Sequence, residues 1–414
     1  MVIRGVGFFL GAGATAMLAR MLQPESFGAY AFVIAVITLL SAPVLAGLRR
    51  TLVRELAYAQ ARNDQPRMRI VWAWVVRWAM RAMLMSAAAL AAWALMGPAD
   101  AAMQLHLALG VLIFLVVPFP RLLAGILHGV GRTSESQLSE FLLRPLFRIG
   151  LMAAIWALWG ADALSVTHAL LIFVAALVID AALCLAFLRR EEVFALRPIA
   201  LAGSDTKGLG FAALSFGAIA SVQLINNNLD VVMLGMLRPQ AEVGIYRAAT
   251  VLAGIVVFGL GVVNVVLMPQ IARLHALEDR AGLQQALVRA TRLIAVFAII
   301  GALIIWFAGQ PLLALVFGSE FKGGYTALLI LTLGQCANAF FGPVALVLNM
   351  TGHERLTLIG VSGAVIVNAV LNLLLVPRHG MEGAAVATTV SLVAWNVVLW
   401  WVLKRRTGYS SAVF

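Results

Sequence analysis

An all-α polytopic membrane protein, with about twelve transmembrane helices in two six-helix bundles, is the fold class this sequence predicts. Three observations carry it. Of 414 residues, 63% are hydrophobic and only 12% charged, and mean hydropathy is +0.98, whereas a soluble domain carries about 25% charged residues. Apolar stretches of about 20 residues, the length that crosses a bilayer as a helix, recur along the chain with room for twelve. The breaks between them are alternately arginine-rich and nearly uncharged, the pattern of loops on opposite membrane sides.

The first span, 2–20, carries Gly7 and Gly11 as a GxxxG pair, which favours close helix packing. Gly11-Ala12-Gly13 has the spacing of a weak dinucleotide fingerprint but follows no strand. Met1 to Met21 leads into a second span without a clear cleavage site, so no cleavable signal peptide is expected. The second span is 27–48, and Arg49, Arg50, Arg54, Arg62, Arg67 and Arg69 fill the break behind it. The third, 71–96, holds Arg77 and Arg81 four apart, hence on one helical face. The fourth, 103–127, is interrupted by Pro118 and Pro120 and contains Arg121. The fifth, 138–159, carries Glu140, Arg144 and Arg148 at four-residue spacing, and the sixth, 164–188, carries Asp180.

Six further spans are expected at 209–236, 243–268, 291–316, 325–349, 356–376 and 381–403. The seventh contains Asn226, Asn227, Asn228 and Asp230, and the tenth is interrupted by Pro343. Arg132, Arg189, Arg190, Arg197, Lys207, Arg273, Arg280, Arg289, Arg355 and Lys404-Arg405-Arg406 fall on the same side as the first basic loop. The other side has only Arg20, Arg238, Arg247, Lys322 and Arg378. This asymmetry places both termini in the cytoplasm and accounts for the net charge of +12 without nucleic acid. The outer loops are too short for an external catalytic domain. Cys184 and Cys336 both fall in apolar spans, and the six histidines are scattered, so neither a disulfide framework nor a metal site is expected. The sequon Asn349-Met350-Thr351 falls at an inner membrane edge.

The two halves repeat. Met21-Leu22-Gln23-Pro24 with Phe27-Gly28-Ala29-Tyr30 recurs as Met236-Leu237-Arg238-Pro239 with Val243-Gly244-Ile245-Tyr246. Leu127 with Gly131-Arg132 matches Leu348 with Gly352-His353, and Gly160-Ala161-Asp162 matches Gly380-Met381-Glu382. An even number of spans separates the copies, so the repeat is parallel, a pseudo-two-fold about a central cavity. Transporters of that design bind substrate between the halves. The expected organisation is a lobe at 1–188, a cytoplasmic linker at 189–208, a lobe at 209–404 and a tail at 405–414.

An Asp at the centre of a spanning helix costs about 2.5–3.5 kcal/mol on insertion scales, so the charges inside spans are the candidate functional residues. At about 1.5 Å rise per residue, Arg81, Arg121 and Arg148 lie roughly 10–15 Å from the inner surface. Either they snorkel to the headgroups, as Arg77 and Arg144 nearer the ends would, or they line one cationic lumen. Asp180 and Asp230 are candidates for ion coupling. Nine of the ten asparagines lie in the second half. Asn226, Asn227, Asn228, Asn264, Asn338, Asn368 and Asn372 either bridge helices or line a glycan path as donors and acceptors. Paired carboxylates for catalysis are absent from the outer loops, so no catalytic residue is assigned.

The segment Leu18-Ala19-Arg20-Met21-Leu22-Gln23-Pro24-Glu25-Ser26-Phe27-Gly28-Ala29-Tyr30 resembles the opening signature of the bacterial polysaccharide transporter (oligosaccharide flippase) family. Val53-Arg54-Glu55-Leu56-Ala57 and Asn228-Leu229-Asp230-Val231-Val232-Met233-Leu234-Gly235 resemble it too. So do Leu348-Asn349-Met350-Thr351-Gly352-His353-Glu354 and Gly380-Met381-Glu382-Gly383-Ala384-Ala385. The resemblance covers about residues 17 to 404. It implies a relation to multidrug and toxin extrusion proteins and to peptidoglycan-precursor flippases. It also implies movement of undecaprenyl-diphosphate-linked glycans across the bacterial inner membrane for O-antigen, capsule or exopolysaccharide assembly. The implied partners are this lipid-linked substrate, membrane lipids and polysaccharide polymerase or assembly proteins. No cofactor is implied, with proton or sodium coupling left open. A cation-coupled multidrug exporter of the same fold is the alternative. Two departures stand out: a very short lead before the first span, and twelve spans where some members have fourteen.

Overall fold

A computed structural model describes residues 2–96, 101–160, 164–189, 206 and 208–412. The described residues are almost entirely helical, and no strand occurs among them. In order they form α1 (Val2–Ala61), α2 (Gln65–Met96), α3 (Ala101–Val116), α4 (Pro118–Gly129) and α5 (Thr133–Gln137). A π-helical segment (Leu138–Leu143) leads into α6 (Arg144–Trp159), followed by α7 (Val166–Leu188), α8 (Leu209–Asn226), α9 (Leu229–Leu237) and α10 (Gln240–Ala276). Then come α11 (Arg280–Val316), a 3-10 segment (Ser319–Gly324), α12 (Tyr325–Phe341), α13 (Val344–Met350) and α14 (Glu354–Thr407).

Among the described residues, ten helices are long and apolar enough to cross a membrane. Two of them are double. The α1 helix joins the first two expected spans across a kink at Gln23 (φ 62°), and α14 joins the last two across Gly380 (φ 54°). Twelve spans result, in an all-α polytopic membrane protein. Helix ends and apolar ends differ: α10 and α11 run past the hydropathy limits, and Asp279 caps α11 by accepting from the Gly282 N–H at 2.8 Å. Hydropathy reports where apolar surface stops, while backbone hydrogen bonding continues until a cap ends it.

The chain forms two compact units. The first comprises Val2–Leu22 and Val33–Asn228, and the second Gln23–Phe32 and Leu229–Phe414. The expected linker at 189–208, with Arg190, Arg197 and Lys207, lies almost wholly outside the described residues.

In the first unit, α1 meets α8 backbone to backbone: a Cβ added at Gly47 would lie 2.1 Å from the Ala213 carbonyl oxygen. Gly7 is pressed on Phe141 in the same way (2.5 Å to its oxygen), whereas Gly11 meets nothing within 4 Å. Only one half of the GxxxG pair therefore packs. Between α3 and α4 the span breaks at Val117, where Pro118 has no N–H to continue the ladder.

In the second unit the repeat-matched glycines meet each other. A Cβ on Gly28 would lie 1.7 Å from the Gln240 carbonyl oxygen, and one on Gly244 would lie 2.1 Å from that of Pro24. Phe27 stacks edge-on against Phe321 at 6.1 Å. The positive φ of Gln23 is unusual for a residue with a side chain and costs of order 1–3 kcal/mol; it ends one span so that Pro24 can begin the next. Near the other kink, Glu242 accepts from Arg238 Nε at 3.0 Å and from the Met381 N–H at 3.2 Å, tying the start of α10 to Gly380-Met381. The large apolar core at the far end of this unit gathers Leu267, Ile271, Leu283, Leu287, Leu399 and Leu403.

Candidate functional site

Each unit holds a buried polar cluster around a carboxylate. In the first unit the π-helical segment Leu138–Leu143 widens the helix by one residue, a feature frequent at functional sites, just before Pro145 stiffens the start of α6. Arg144 donates to Asp180 Oδ2 through Nε at 2.8 Å and through Nη2. Asp180 also accepts from the Ser139 hydroxyl, which lies 3.3 Å from Cys184 Sγ. One residue on from Ser139, Glu140 receives a bidentate pair from Arg49, at 3.0 and 2.7 Å. Arg121, from α4, feels the charges of Arg144, Glu140 and Arg49. Among the described residues it makes neither a hydrogen bond nor an ion pair. Two of the three arginines are thus matched by carboxylates, and the cluster keeps one positive charge in excess.

The five predicted arginines separate. Arg121 and Arg144 are brought together. Arg148 lies one turn further along α6, over the Phe173 ring at 5.4 Å from its centroid. Arg77 and Arg81 are exposed on α2, with Arg81 over Trp78 at 5.4 Å. Arg49, read from the sequence as a loop residue, joins the cluster because α1 stays helical to Ala61. Beside α4 an apolar cavity of about 500 Å³ is lined by Trp72, Met80, Phe119, Leu122, Ala181 and Leu185, among others.

The expected seventh span breaks after Asn226, near the end of the first unit, and in the second unit Asp230 sits in the first turn of α9. Its carboxylate is buried and accepts from its neighbour's backbone, Val231 N–H, at 2.9 Å, from the Tyr246 hydroxyl and from Thr388 Oγ1 at 3.1 Å. Arg247 adds a favourable charge. The network extends along α14: Asn368 Nδ2 donates to Ser391 Oγ at 3.2 Å, and Asn372 Nδ2 to Asn368 Oδ1 at 3.0 Å. Asn396 Nδ2 reaches Asn338 Oδ1 at 3.1 Å, joining α14 to α12. Asn228 returns its amide to the Leu224 carbonyl at 2.9 Å, and Asn227 is exposed. The side-chain oxygens of Asn226, Asn264 and Asn372 are buried without a hydrogen-bond partner among the described residues. Tyr246 and Thr388 were not singled out from the sequence as site residues, although Tyr246 stood in the repeat motif.

Chemically, the first cluster can hold an anion and the second a proton or a small cation. Among the described residues no group of three or more His, Cys, Asp or Glu could hold a metal ion.

A probable low-salt glycan biosynthesis flippase of Haloferax volcanii is 28% identical over 178 residues, covering 41% of this chain and 36% of that protein; the chain thus matches about a third of that relative's length. Among solved structures, an inward-facing multidrug resistance MATE family transporter of the MOP superfamily superposes with TM-score 0.79 at 15% identity. It covers 98% of this chain and 99% of its own. The lipid II flippase MurJ in an inward closed conformation gives TM-score 0.75 at 11% identity, covering 97% and 87%. A MOP superfamily transporter from Pyrococcus furiosus, described as having a binding pocket of reverse polarity, gives 0.67 at 16%, covering 98% and 94%. At such identities these three show the fold. The family model described as "Polysaccharide biosynthesis protein" matches residues 1–275, and the chain belongs to that family.

Proposed function

We propose that this protein is a flippase. It carries undecaprenyl-diphosphate-linked oligosaccharide units across the inner membrane, by alternating access of its two six-span halves, for O-antigen, capsule or exopolysaccharide assembly. The observation that supports this most is the unmatched guanidinium of Arg121 beside Arg49 and Arg144. Three guanidinium groups there share two carboxylates, and an excess positive charge inside a spanning segment favours an anionic ligand, since paired Arg–phosphate bonds are strong where water is excluded. On this reading Glu140 and Asp180 hold Arg49 and Arg144 in place when no cargo is bound, and a diphosphate takes up the excess charge. Arg148, Arg77 and Arg81 offer further cationic contacts along its route. Asn226, Asn227 and Asn264 face the glycan, while Asn338, Asn368 and Asn372 shape the second unit. Asp230, with Tyr246 and Thr388, carries the coupling proton or sodium ion. Both termini lie in the cytoplasm, and polymerase or assembly proteins act on the product.

Binding of a polyprenyl diphosphate to the purified protein tests the assignment. Arg121→Ala should weaken it roughly tenfold or more, as loss of a charge-assisted hydrogen bond does; unchanged affinity would remove Arg121 from the site. The alternative, a cation-coupled multidrug exporter, is disfavoured by the same excess positive charge, which repels cationic drugs.

A further inference from the structure

The segment following α14 turns back into the second unit instead of running on into solvent. Gly408, with φ 76°, ends α14 in the left-handed conformation and donates its N–H to the Lys404 carbonyl at 3.2 Å, a helix-ending turn that only glycine adopts without strain. Tyr409 then enters the apolar core beside Leu283, Leu287, Val344 and Val347. Ser410 is clamped at its backbone by one side chain: Gln284 Nε2 donates to its carbonyl at 2.8 Å, and Gln284 Oε1 accepts from its N–H at 3.0 Å. Trp400 Nε1 donates to the Ser410 hydroxyl at 3.2 Å. Ser411 accepts from Thr291 Oγ1 at 2.7 Å and donates its hydroxyl to the Phe341 carbonyl at 2.9 Å.

That last carbonyl ends α12. Immediately after it, Gly342 (φ 71°) and Pro343 break the tenth span before α13 begins. Such a break leaves carbonyls without helical donors, and Ser411 supplies one. The fit is tight: a Cβ added to Gly342 would lie 2.3 Å from Thr291 Oγ1 and 2.6 Å from the Ser411 oxygen. Residues 409–412 therefore fill the groove between the ninth, tenth and twelfth spans at the break itself.

By the sequence repeat, the matching groove of the first unit lies between the third, fourth and sixth spans. There, among the described residues, no such segment lies on the break at Val117-Pro118, and an apolar cavity of about 500 Å³ beside it is lined by Phe119 and Leu122 from α4.

We propose that residues 408–412 form a latch that fixes the bend between α12 and α13, so that the tenth-span break is a held elbow and not a moving hinge. Gln284, Thr291 and Ser411 are the positioning residues of this latch. The latch depends on no assumption about cargo.

Hydrogen exchange of the full-length protein in lipid nanodiscs tests it. Gln284→Ala and Ser411→Ala each remove bonds to the segment while leaving the core side chains in place. Each should speed exchange of the amides at 341–348 by roughly three- to tenfold per bond lost. Gln285→Ala, on the exposed neighbouring position of α11, should leave these amides unchanged. Unchanged exchange at 341–348 in both latch variants would overturn the proposal. So would an increase spread equally over the α10 start near Tyr246, which marks general loosening instead of release of one elbow.

Discussion

Single residues carry the charge logic of the first unit. Asp180 is fully buried and Arg144 nearly so, with side-chain exposures of 1% and 16%. Removing one partner of such a pair strands the other charge and costs about 3–5 kcal/mol, whereas replacing both with apolar groups is often close to neutral. Asp180→Ala should therefore lower thermal stability in detergent markedly, and Asp180→Ala with Arg144→Met should recover much of it. A double variant no more stable than the single one would show that the pair is not the cause. In the second unit, Tyr246→Phe removes a hydroxyl donor to a buried carboxylate and should cost about 1.5–3 kcal/mol, read as a lower midpoint of unfolding. An unchanged midpoint would mean that the Asp230 network closes without it. Arg121, Arg144, Asp180 and Asp230 were legible in the sequence because a charge in an apolar run is conspicuous at any register. Arg49 was not, since a hydropathy reading ends the second span at residue 48 while the helix continues. The asparagines were legible as a set but not in role, because an amide that bridges helices and one that faces cargo have the same composition. Only the hydrogen bonds of Asn338, Asn368 and Asn372 separate them from Asn226 and Asn264.

At the scale of elements, the spans followed from hydropathy and the breaks from proline. Pro118 and Pro343 do begin new helical segments. The kinks at Gln23 and Gly380 escaped as kinks, because each turns the chain from one span to the next at a single non-helical residue instead of a loop. The π-helical turn at Leu138–Leu143 left no composition signal at all; it carries Ser139, which meets Asp180, and Glu140, which meets Arg49. The repeated FGAY and VGIY motifs had a physical reason that the sequence alone did not disclose: their glycines let the chain starting at Pro24 and the start of α10 touch backbone to backbone. Gly28→Ala and Gly244→Ala should each destabilise the fold by about 1–3 kcal/mol or more through overpacking, because the atoms in the way are carbonyl oxygens. Gly11→Ala, with open space around it, should be neutral or slightly stabilising as a helix former. Thermal melts of the three variants would check the ranking, and equal melts would show that the close approach relaxes easily.

For the molecule as a whole, composition was enough for a multi-pass helical membrane protein, and ordered motifs were enough for the family. Neither names the cargo, since a lipid-linked glycan leaves its signature in a few side chains scattered over many spans. The cargo assignment therefore depends on whether the excess positive charge around Arg121 serves a diphosphate. The most direct measurement is the leaflet distribution of undecaprenyl-diphosphate-linked glycan in cells lacking this protein, complemented with the wild type or with Arg121→Ala. The account predicts that the repeat unit accumulates on the inner leaflet and surface polymer is lost without the protein. Wild type should restore both, and Arg121→Ala, present in the membrane at normal levels, should restore neither. Lipid-linked glycan reaching the outer leaflet normally in the Arg121→Ala strain would contradict it.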